Sequence, residues 1–212
     1  MSHPCDIYQE LRSLYDHCNA HFFNNTLPAC MILLRPRRHA AGYFQPSCWG
    51  RFHDDATGDI DAIALNTTLF HARSNDVILS TLVHEMVHLW QRHYGDNFPK
   101  TLNHHNKEWS AKMHTVGLIP STTGKEGGKE TGLKVGHYQE VNGVFQQFYA
   151  TLQPPLFSWQ EMPETTPGKT AEKKVMSLCP RCEARAWAYE GVKLICSDCK
   201  EYLVLKTKEK VS

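Results

Sequence analysis

The sequence predicts an α+β domain followed by a small module that folds around a metal ion, and three observations support this. Amphipathic helix patterns and short apolar runs alternate along the first 150 residues. One helix pattern contains the motif H-E-x-x-H, and two C-x-x-C motifs lie near the end of the chain. We therefore predict a main domain over 1–150, a flexible Pro-, Thr- and Lys-rich linker over 151–175 and a four-cysteine module over 176–206.

The composition is that of a globular protein without a strong charge bias. The chain has 212 residues, of which 41% are hydrophobic, and this is enough for one sizeable core and a small appendage. The 23 Lys and Arg residues balance the 22 Asp and Glu residues, so the whole chain lacks the polybasic character of nucleic-acid or membrane binding. We find no signal-peptide pattern and no membrane-length apolar run, and we expect a cytoplasmic protein with no membrane partner.

The predicted elements begin with a helix and three strands. Apolar residues at three- and four-residue spacing indicate a helix from Ile7 to Phe22 that ends near Asn24. Short apolar runs then predict strands at Ala29–Leu34, Ala41–Gln45 and Ile60–Leu65.

Two helices and a loop complete the predicted domain. We predict a central helix over Asp76–Tyr94, which ends at Gly95, and a shorter helix over Asn106–Val116. The segment 121–132 is rich in Gly, Lys, Ser and Thr and is predicted to be a mobile loop, and 135–150 is strand-like and aromatic.

The central helix carries the most specific pattern, which is His84-Glu85-Met86-Val87-His88. Residues i and i+4 of a helix lie on one face, so His84 and His88 can bind one metal ion. Glu85 lies beside them, where a carboxylate can take a proton from water that the metal has activated. Three fixed letters recur by chance in a chain with 13 His, but the apolar surroundings indicate a buried helix and further His residues follow. The motif predicts a zinc hydrolase site.

A catalytic zinc site needs three protein ligands and one open position, and the third ligand has several candidates. His104, His105 and Glu108 lie at the start of the next helix. His104 and His105 are adjacent, so only one of them can face the metal comfortably. Glu108 lies one helical turn beyond His105 on the same face, roughly where a glutamate-type zinc peptidase carries its ligand. The residues alone leave these alternatives open.

At these residues the chain resembles the SprT-like family of zinc metalloproteases, over about Ile7–Ala150 and the C-terminal module. The family carries H-E-x-x-H on a central helix, and a later His-Gly-x-x-aromatic segment supplies the third histidine. The matching segment here is His105-Asn106-Lys107-Glu108-Trp109, in which Asn106 replaces the usual Gly. The resemblance implies a zincin-like core in which His105 is the third ligand and Glu108 is not a ligand.

A second metal signature lies near the end of the chain. Its two pairs, with thirteen residues between them, are Cys179 with Cys182 and Cys196 with Cys199. Each C-x-x-C turn places two thiolates on one side of a tight loop, so the pairs complete a tetrahedral shell with no open position. A redox pair would need a thioredoxin-like context, which the sequence lacks. We predict a zinc ribbon whose metal is structural and largely drives its folding.

The motifs together predict a zinc-dependent endopeptidase that holds one catalytic and one structural zinc ion. The resemblance implies DNA-associated or DNA-crosslinked proteins as substrates, and hence a role in DNA repair. Residues 169–212 contain ten Lys and Arg against six Asp and Glu, and Trp187, Tyr189 and Tyr202 could stack on bases. We therefore expect that the ribbon can contact nucleic acid.

Substrate binding and the rival functions are further expectations. An extended peptide would pair with an exposed strand edge, for which Ile60–Leu65 is the candidate. His137 and Tyr138 could donate to the oxyanion of the reaction, although a buried structural pair is favoured. The alternatives to a peptidase are a nonproteolytic nucleic-acid-binding or partner-binding protein on the same scaffold, and a hydrolase of non-peptide substrates. Glu85 argues against the scaffold because binding alone needs no general base.

Overall fold

A computed structural model describes residues 6–37, 40–50, 59–101, 104–153, 156–157 and 174–205. The chain divides into two units, Met1–Pro163 and Glu164–Ser212. Most of the predicted linker lies outside the described residues. Leu156 and Phe157 are an exception, because both pack against the core of the first unit.

The first unit contains four α-helices and seven short strands in its described part, and the α+β class is therefore confirmed. In chain order they are α1 Asp6–Phe23, β1 Met31–Leu34, β2 Gly42–Trp49, β3 Ile60–Leu65, a 3-10 helix Thr67–Ala72, α2 Asn75–Tyr94, β4 His104–His105, α3 Lys107–Thr115, β5 Leu118–Ser121, β6 Gly132–Leu133, β7 Gly136–Gln139 and α4 Val144–Thr151. The three predicted helices begin and end within two residues of the observed limits of α1, α2 and α3.

The main sheet has the strand order β1-β3-β2. β3 pairs in parallel with β1 and antiparallel with β2, so the prediction that Ile60–Leu65 is an exposed edge is wrong. Four consecutive apolar residues of β3, from Ala62 to Leu65, are almost fully buried. Such a continuous apolar run is typical of a strand that is covered on both faces and paired on both sides. Among the described strands, β1 and β2 form the two edges of this sheet.

The central helix α2 is buried around most of its circumference, which explains the density of apolar residues in its sequence. Leu79, Leu82 and Met86 have no accessible surface. β2 passes close to the helix at Gly42, where an added Cβ would lie 2.9 Å from Thr81 Cγ2. The lack of a side chain at Gly42 therefore allows the sheet and the motif helix to approach each other.

The segment after α3 differs in part from its prediction. Residues 135–150 form not only β7 but also α4, whose Phe145 and Phe148 are buried at helical spacing. Both aromatic rings contact Phe22 of α1, at centroid distances of 6.3 and 4.9 Å. Between the end of β5 at Ser121 and the start of β6 at Gly132 the chain forms a loop, and Ser121 Oγ closes its first turn by donating to the carbonyl of Lys125.

The second unit contains β8 Val175–Leu178, β9 Arg185–Ala188 and β10 Val204–Leu205, in the antiparallel order β10-β8-β9. Its two C-x-x-C turns have the same backbone geometry. Glu183 N donates to Cys179 O and Lys200 N donates to Cys196 O, each over 2.9 Å. Glu183 and Lys200 adopt positive φ values of 59° and 58°, so both turns close in the left-handed region.

No helix in the described part of either unit is both long enough and apolar enough to cross a membrane.

Candidate metal centre

The two histidines of the H-E-x-x-H motif and His105 converge in the first unit. One ring nitrogen from each of the three side chains lies within 4.8 Å of the others. The ring centroids are separated by 5.3 Å for His84 and His88, 5.4 Å for His84 and His105, and 4.9 Å for His88 and His105. This group could hold a metal ion with three nitrogen ligands, a donor set that suits zinc.

The short strand β4 determines which of the two adjacent histidines joins the cluster. β4 pairs antiparallel with β6, so that His105 lies opposite Gly132. Consecutive strand residues point to opposite faces, and here His105 is buried whereas His104 is exposed. His105 Nδ1 lies 3.3 Å from the carbonyl oxygen of Gly132. This hydrogen bond leaves Nε2 of His105 as its free ligand atom.

Glu108, the rival ligand candidate, lies outside the cluster and has a different set of partners. Its carboxylate accepts hydrogen bonds from Gln91 Nε2 at 2.8 Å, from Asp96 N at 2.7 Å and from Asn97 N at 3.2 Å. Partial burial opposes ionisation of Glu108, but these hydrogen bonds outweigh it and lower its pKa. Glu108 therefore joins α3 to the end of α2.

Asn106 stands where the family pattern has Gly, and its backbone is not strained. It has φ −94° and ψ −179°, an extended conformation that any residue adopts. Its side-chain oxygen caps α3 by accepting a hydrogen bond from Trp109 N at 3.0 Å. The replacement therefore costs nothing in backbone conformation and adds an N-cap.

Aromatic rings form the walls of the cluster. Trp109 is fully buried, and its centroid lies 4.9, 5.2 and 4.3 Å from those of His84, His88 and His105. Phe44 of β2 stacks on His88 at 6.4 Å. The sequence alone does not predict this contact of Trp109, which the structure places directly against all three imidazoles.

Burial keeps the three imidazoles neutral. It lowers the pKa of His84 well below its ordinary value, and the neighbouring imidazoles lower it further. Burial likewise lowers the pKa of His88 to about 3 and also lowers that of His105. Neutral imidazole is the form that binds a metal, so the three lone pairs are available near neutral pH.

Glu85 is buried beside the cluster, with its carboxyl group against β2. Burial raises its pKa to about 8, while the backbone N–H of Phe44 and the charge of Arg37 oppose this shift. A cation held by the imidazoles would lower the pKa again, toward the range in which a carboxyl group can both accept and return a proton.

The sequence model of the SprT-like family matches residues 11–126. The chain belongs to the SprT-like family. The match includes the H-E-x-x-H motif and His105, and it ends before β7 and the four-cysteine module. A search of curated proteins finds no match to the chain.

One contact of this SprT-like site lies beyond the family match. His137 of β7 has its Nδ1 3.1 Å from Nδ1 of His84 and its Nε2 2.9 Å from Ser80 Oγ. Tyr138 is the next residue of the same strand, so its side chain points to the opposite face. His137 and Tyr138 are both only partly buried. The two residues therefore do not form the buried pair that we expected.

The second unit of this SprT-like protein brings its four predicted cysteines together. The sulfur atoms of Cys179, Cys182, Cys196 and Cys199 lie within 4.8 Å of one another, and the cysteines are unpaired. Backbone N–H groups of Cys182 and Arg181 lower the pKa of the Cys179 thiol to about 7, whereas the neighbouring cysteines raise the pKa of Cys199 to about 12, so the four thiols share their protons as one cluster. Since the thiolate is the form that binds a metal, this cluster fits a zinc ribbon.

Proposed function

We propose that the protein is a zinc-dependent endopeptidase in which His84, His88 and His105 bind the catalytic metal and Glu85 is the general base. The observation that carries this proposal is the convergence of three neutral, buried imidazoles next to the carboxyl group of Glu85. The four cysteines of the second unit would hold a structural zinc ion.

The metal and Glu85 have different roles in the proposed reaction. Zinc, when bound, would activate a water molecule and polarise the scissile carbonyl group. Glu85 would accept a proton from the attacking water and return it to the leaving amine, as base and then acid. The buried position of Glu85 favours this cycle because it gives the carboxyl group a higher proton affinity than it would have in water.

The edge of β2 is the proposed binding site for an extended substrate, in place of β3. β2 pairs with β3 on one side, and the backbone N–H of Phe44 within β2 hydrogen-bonds to Glu85. A peptide that adds to the outer edge of β2 would therefore pass close to the general base. Main-chain pairing of this kind selects for extended conformation and not for one sequence.

The test compares Glu85→Gln with the native protein on an unfolded protein substrate. Glu85→Gln should retain both zinc ions and lose about 10²–10⁴-fold in cleavage rate, because only the proton transfer is removed. Glu126→Gln changes an exposed carboxyl group in the loop 121–132 and is the matched control. If Glu85→Gln cleaves at the native rate, the assignment fails. If the native protein binds proteins or DNA without cleaving, the nonproteolytic alternative replaces it.

We further propose that the substrates are cytoplasmic proteins bound or crosslinked to DNA and that the ribbon contacts the nucleic acid. Family membership supports this proposal, as do the exposed rings of Trp187 and Tyr202, which are 59% and 60% accessible. Lys174 lies over the ring of Tyr189 at 5.6 Å, a combination of charge and aromatic surface that suits a nucleic acid strand.

Single substitutions in the full chain test this second proposal. Trp187→Ala should weaken single-stranded DNA binding by about tenfold, since stacking on one base contributes about 1–3 kcal/mol. Tyr8→Ala removes a similarly exposed ring from the first unit and should have no effect. Fluorescence anisotropy at low and high salt measures both variants, and binding should weaken as salt rises. If Trp187→Ala binds DNA as tightly as the native protein, the ring of Trp187 does not contact the nucleic acid.

A further inference from the structure

A chain of three hydrogen bonds leads from His84 away from the metal cluster. His84 Nδ1 is 3.1 Å from His137 Nδ1, and His137 Nε2 is 2.9 Å from Ser80 Oγ. Ser80 Oγ in turn donates to the backbone carbonyl of Val77 at 2.9 Å. Ser80 and His84 lie one turn apart on the same face of α2, so the ring of His137 bridges them.

The direction of each hydrogen bond in this chain follows from the last one. The single proton of the Ser80 hydroxyl group is directed at the Val77 carbonyl, so Ser80 Oγ accepts from His137. His137 must then carry its proton on Nε2, which makes its Nδ1 an acceptor. His84 must therefore carry its proton on Nδ1 and donate it to His137. Only one tautomer of each ring satisfies all three contacts.

We propose that His137 is a positioning residue of the metal centre, which fixes the tautomer and ring orientation of His84. With its proton held on Nδ1, His84 presents the lone pair of Nε2 to the metal. A hydrogen-bond acceptor behind a ligating histidine also raises the basicity of that ligand. The proposal rests on the proposed zinc site, and His137 lies beyond the segment that matches the family.

The fold holds His137 firmly in this place. β7 pairs antiparallel with β5, where His137 lies opposite Pro120. Two residues further along β7, Gln139 Nε2 donates to Asp76 Oδ2 at 2.7 Å, at the start of α2. These contacts fix β7 against the same helix that carries His84, so the acceptor and the donor belong to one rigid arrangement.

Zinc affinity of the core site, measured by chelator competition, tests the proposal. His137→Leu should weaken the zinc affinity of the core site about 10–100-fold, because the Nδ1–H group of His84 loses its acceptor. His137→Asn should recover most of the loss, since the amide oxygen can take the place of Nδ1. Ser80→Ala should weaken binding in the same direction but less. His104→Leu, which removes the exposed histidine next to the ligand His105, is the matched control and should bind as the native protein does.

Nuclear magnetic resonance supplies a signature that a packing role would not affect. The zinc-loaded native protein should show a far-downfield imidazole N–H resonance from His84, which His137→Leu should lose. The ribbon zinc should be unchanged in every variant and serves as an internal reference.

Several results would overturn the proposal. One is a zinc affinity of His137→Leu equal to that of the native protein. Another is an equal loss of zinc affinity in His137→Leu and His137→Asn with both variants folded, which would indicate that His137 acts by packing alone. A Co²⁺ spectrum that loses a fourth nitrogen ligand in His137→Leu would make His137 a ligand instead. If His137→Leu does not fold, Ser80→Ala decides by its affinity. Failure of the native core site to bind zinc would refute the proposed function, which is a separate outcome.

Discussion

Substitution of Glu108 and substitution of His105 should have different effects on zinc content. Glu108→Ala removes the acceptor of three hydrogen bonds, from Gln91, Asp96 and Asn97. Two of these donors are backbone groups at an exposed site, where water can partly replace the carboxylate. At about 0.5–1.5 kcal/mol net for each hydrogen bond, we expect the free energy of unfolding to fall by about 2 kcal/mol. The core zinc should remain bound.

His105→Ala should affect the core metal. It removes one of the three imidazoles, so the core site should lose its zinc while the ribbon retains its own. In the metal-free state His105→Ala should also lose some stability, because it removes a buried imidazole that packs against Trp109 at 4.3 Å and a long hydrogen bond of 3.3 Å to the carbonyl of Gly132.

Two measurements on each variant separate these effects. Zinc per chain is determined on freshly purified protein, and thermal melts are recorded in the presence of a chelator. A loss of about 2 kcal/mol corresponds to a decrease in the melting temperature of about 4–8 °C for a unit of this size. Glu126→Ala, which removes an exposed carboxyl group, controls for the change in charge. Loss of core zinc in Glu108→Ala with retention in His105→Ala would refute this ligand assignment.

Three further predictions concern the ribbon, the pH dependence and the contact between sheet and helix. Cys196→Ser should lose one of two zinc equivalents and keep the core metal; a count of one zinc in the intact native protein would contradict the two-site prediction. Burial lowers the pKa of His88 from 6.5 to about 3, so the unfolded chain binds a proton at this residue more readily than the folded protein does. Thermal melts of zinc-free protein should therefore show that stability falls below about pH 6.5, by up to about 1.4 kcal/mol per pH unit from this group. His88→Asn should reduce the slope of this pH dependence. An added Cβ in Gly42→Ala would lie 2.9 Å from Thr81 Cγ2 and 3.2 Å from Glu85 Cγ, so urea unfolding should show a loss of about 1–3 kcal/mol.

The elements with strong periodic patterns could be predicted from the sequence. The elements that each of them pairs with or packs against could not. α1, α2 and α3 bury residues at helical spacing, which a single sequence displays directly. Strand order is a property of the assembled sheet, and we placed β3 at an edge although its unbroken apolar run indicated burial on both faces. α4 was missed because aromatic residues such as Phe145 and Phe148 also favour strands.

The same limit applies to the site. His84, Glu85 and His88 follow from a local motif on one helix. The third position depended on family resemblance, because the residues did not reveal that β4 would turn His105 inward and His104 outward. His137 lies 53 residues from His84, and neither its spacing nor its neighbours indicate that the two rings meet. Contacts between distant segments therefore account for most of what the sequence left open.

The pairing of β4 with β6 has a kinetic consequence. His84 and His88 belong to a buried helix, but His105 belongs to a strand of two residues that is held by an equally short partner. Short pairings at a surface open with far smaller free energies than a whole domain does, and such opening would withdraw one of the three nitrogen ligands. The residence time of a bound metal ion would then depend on how often the pairing between β4 and β6 opens. A metal ion in the core site would then exchange while the surrounding helices and sheet remain folded.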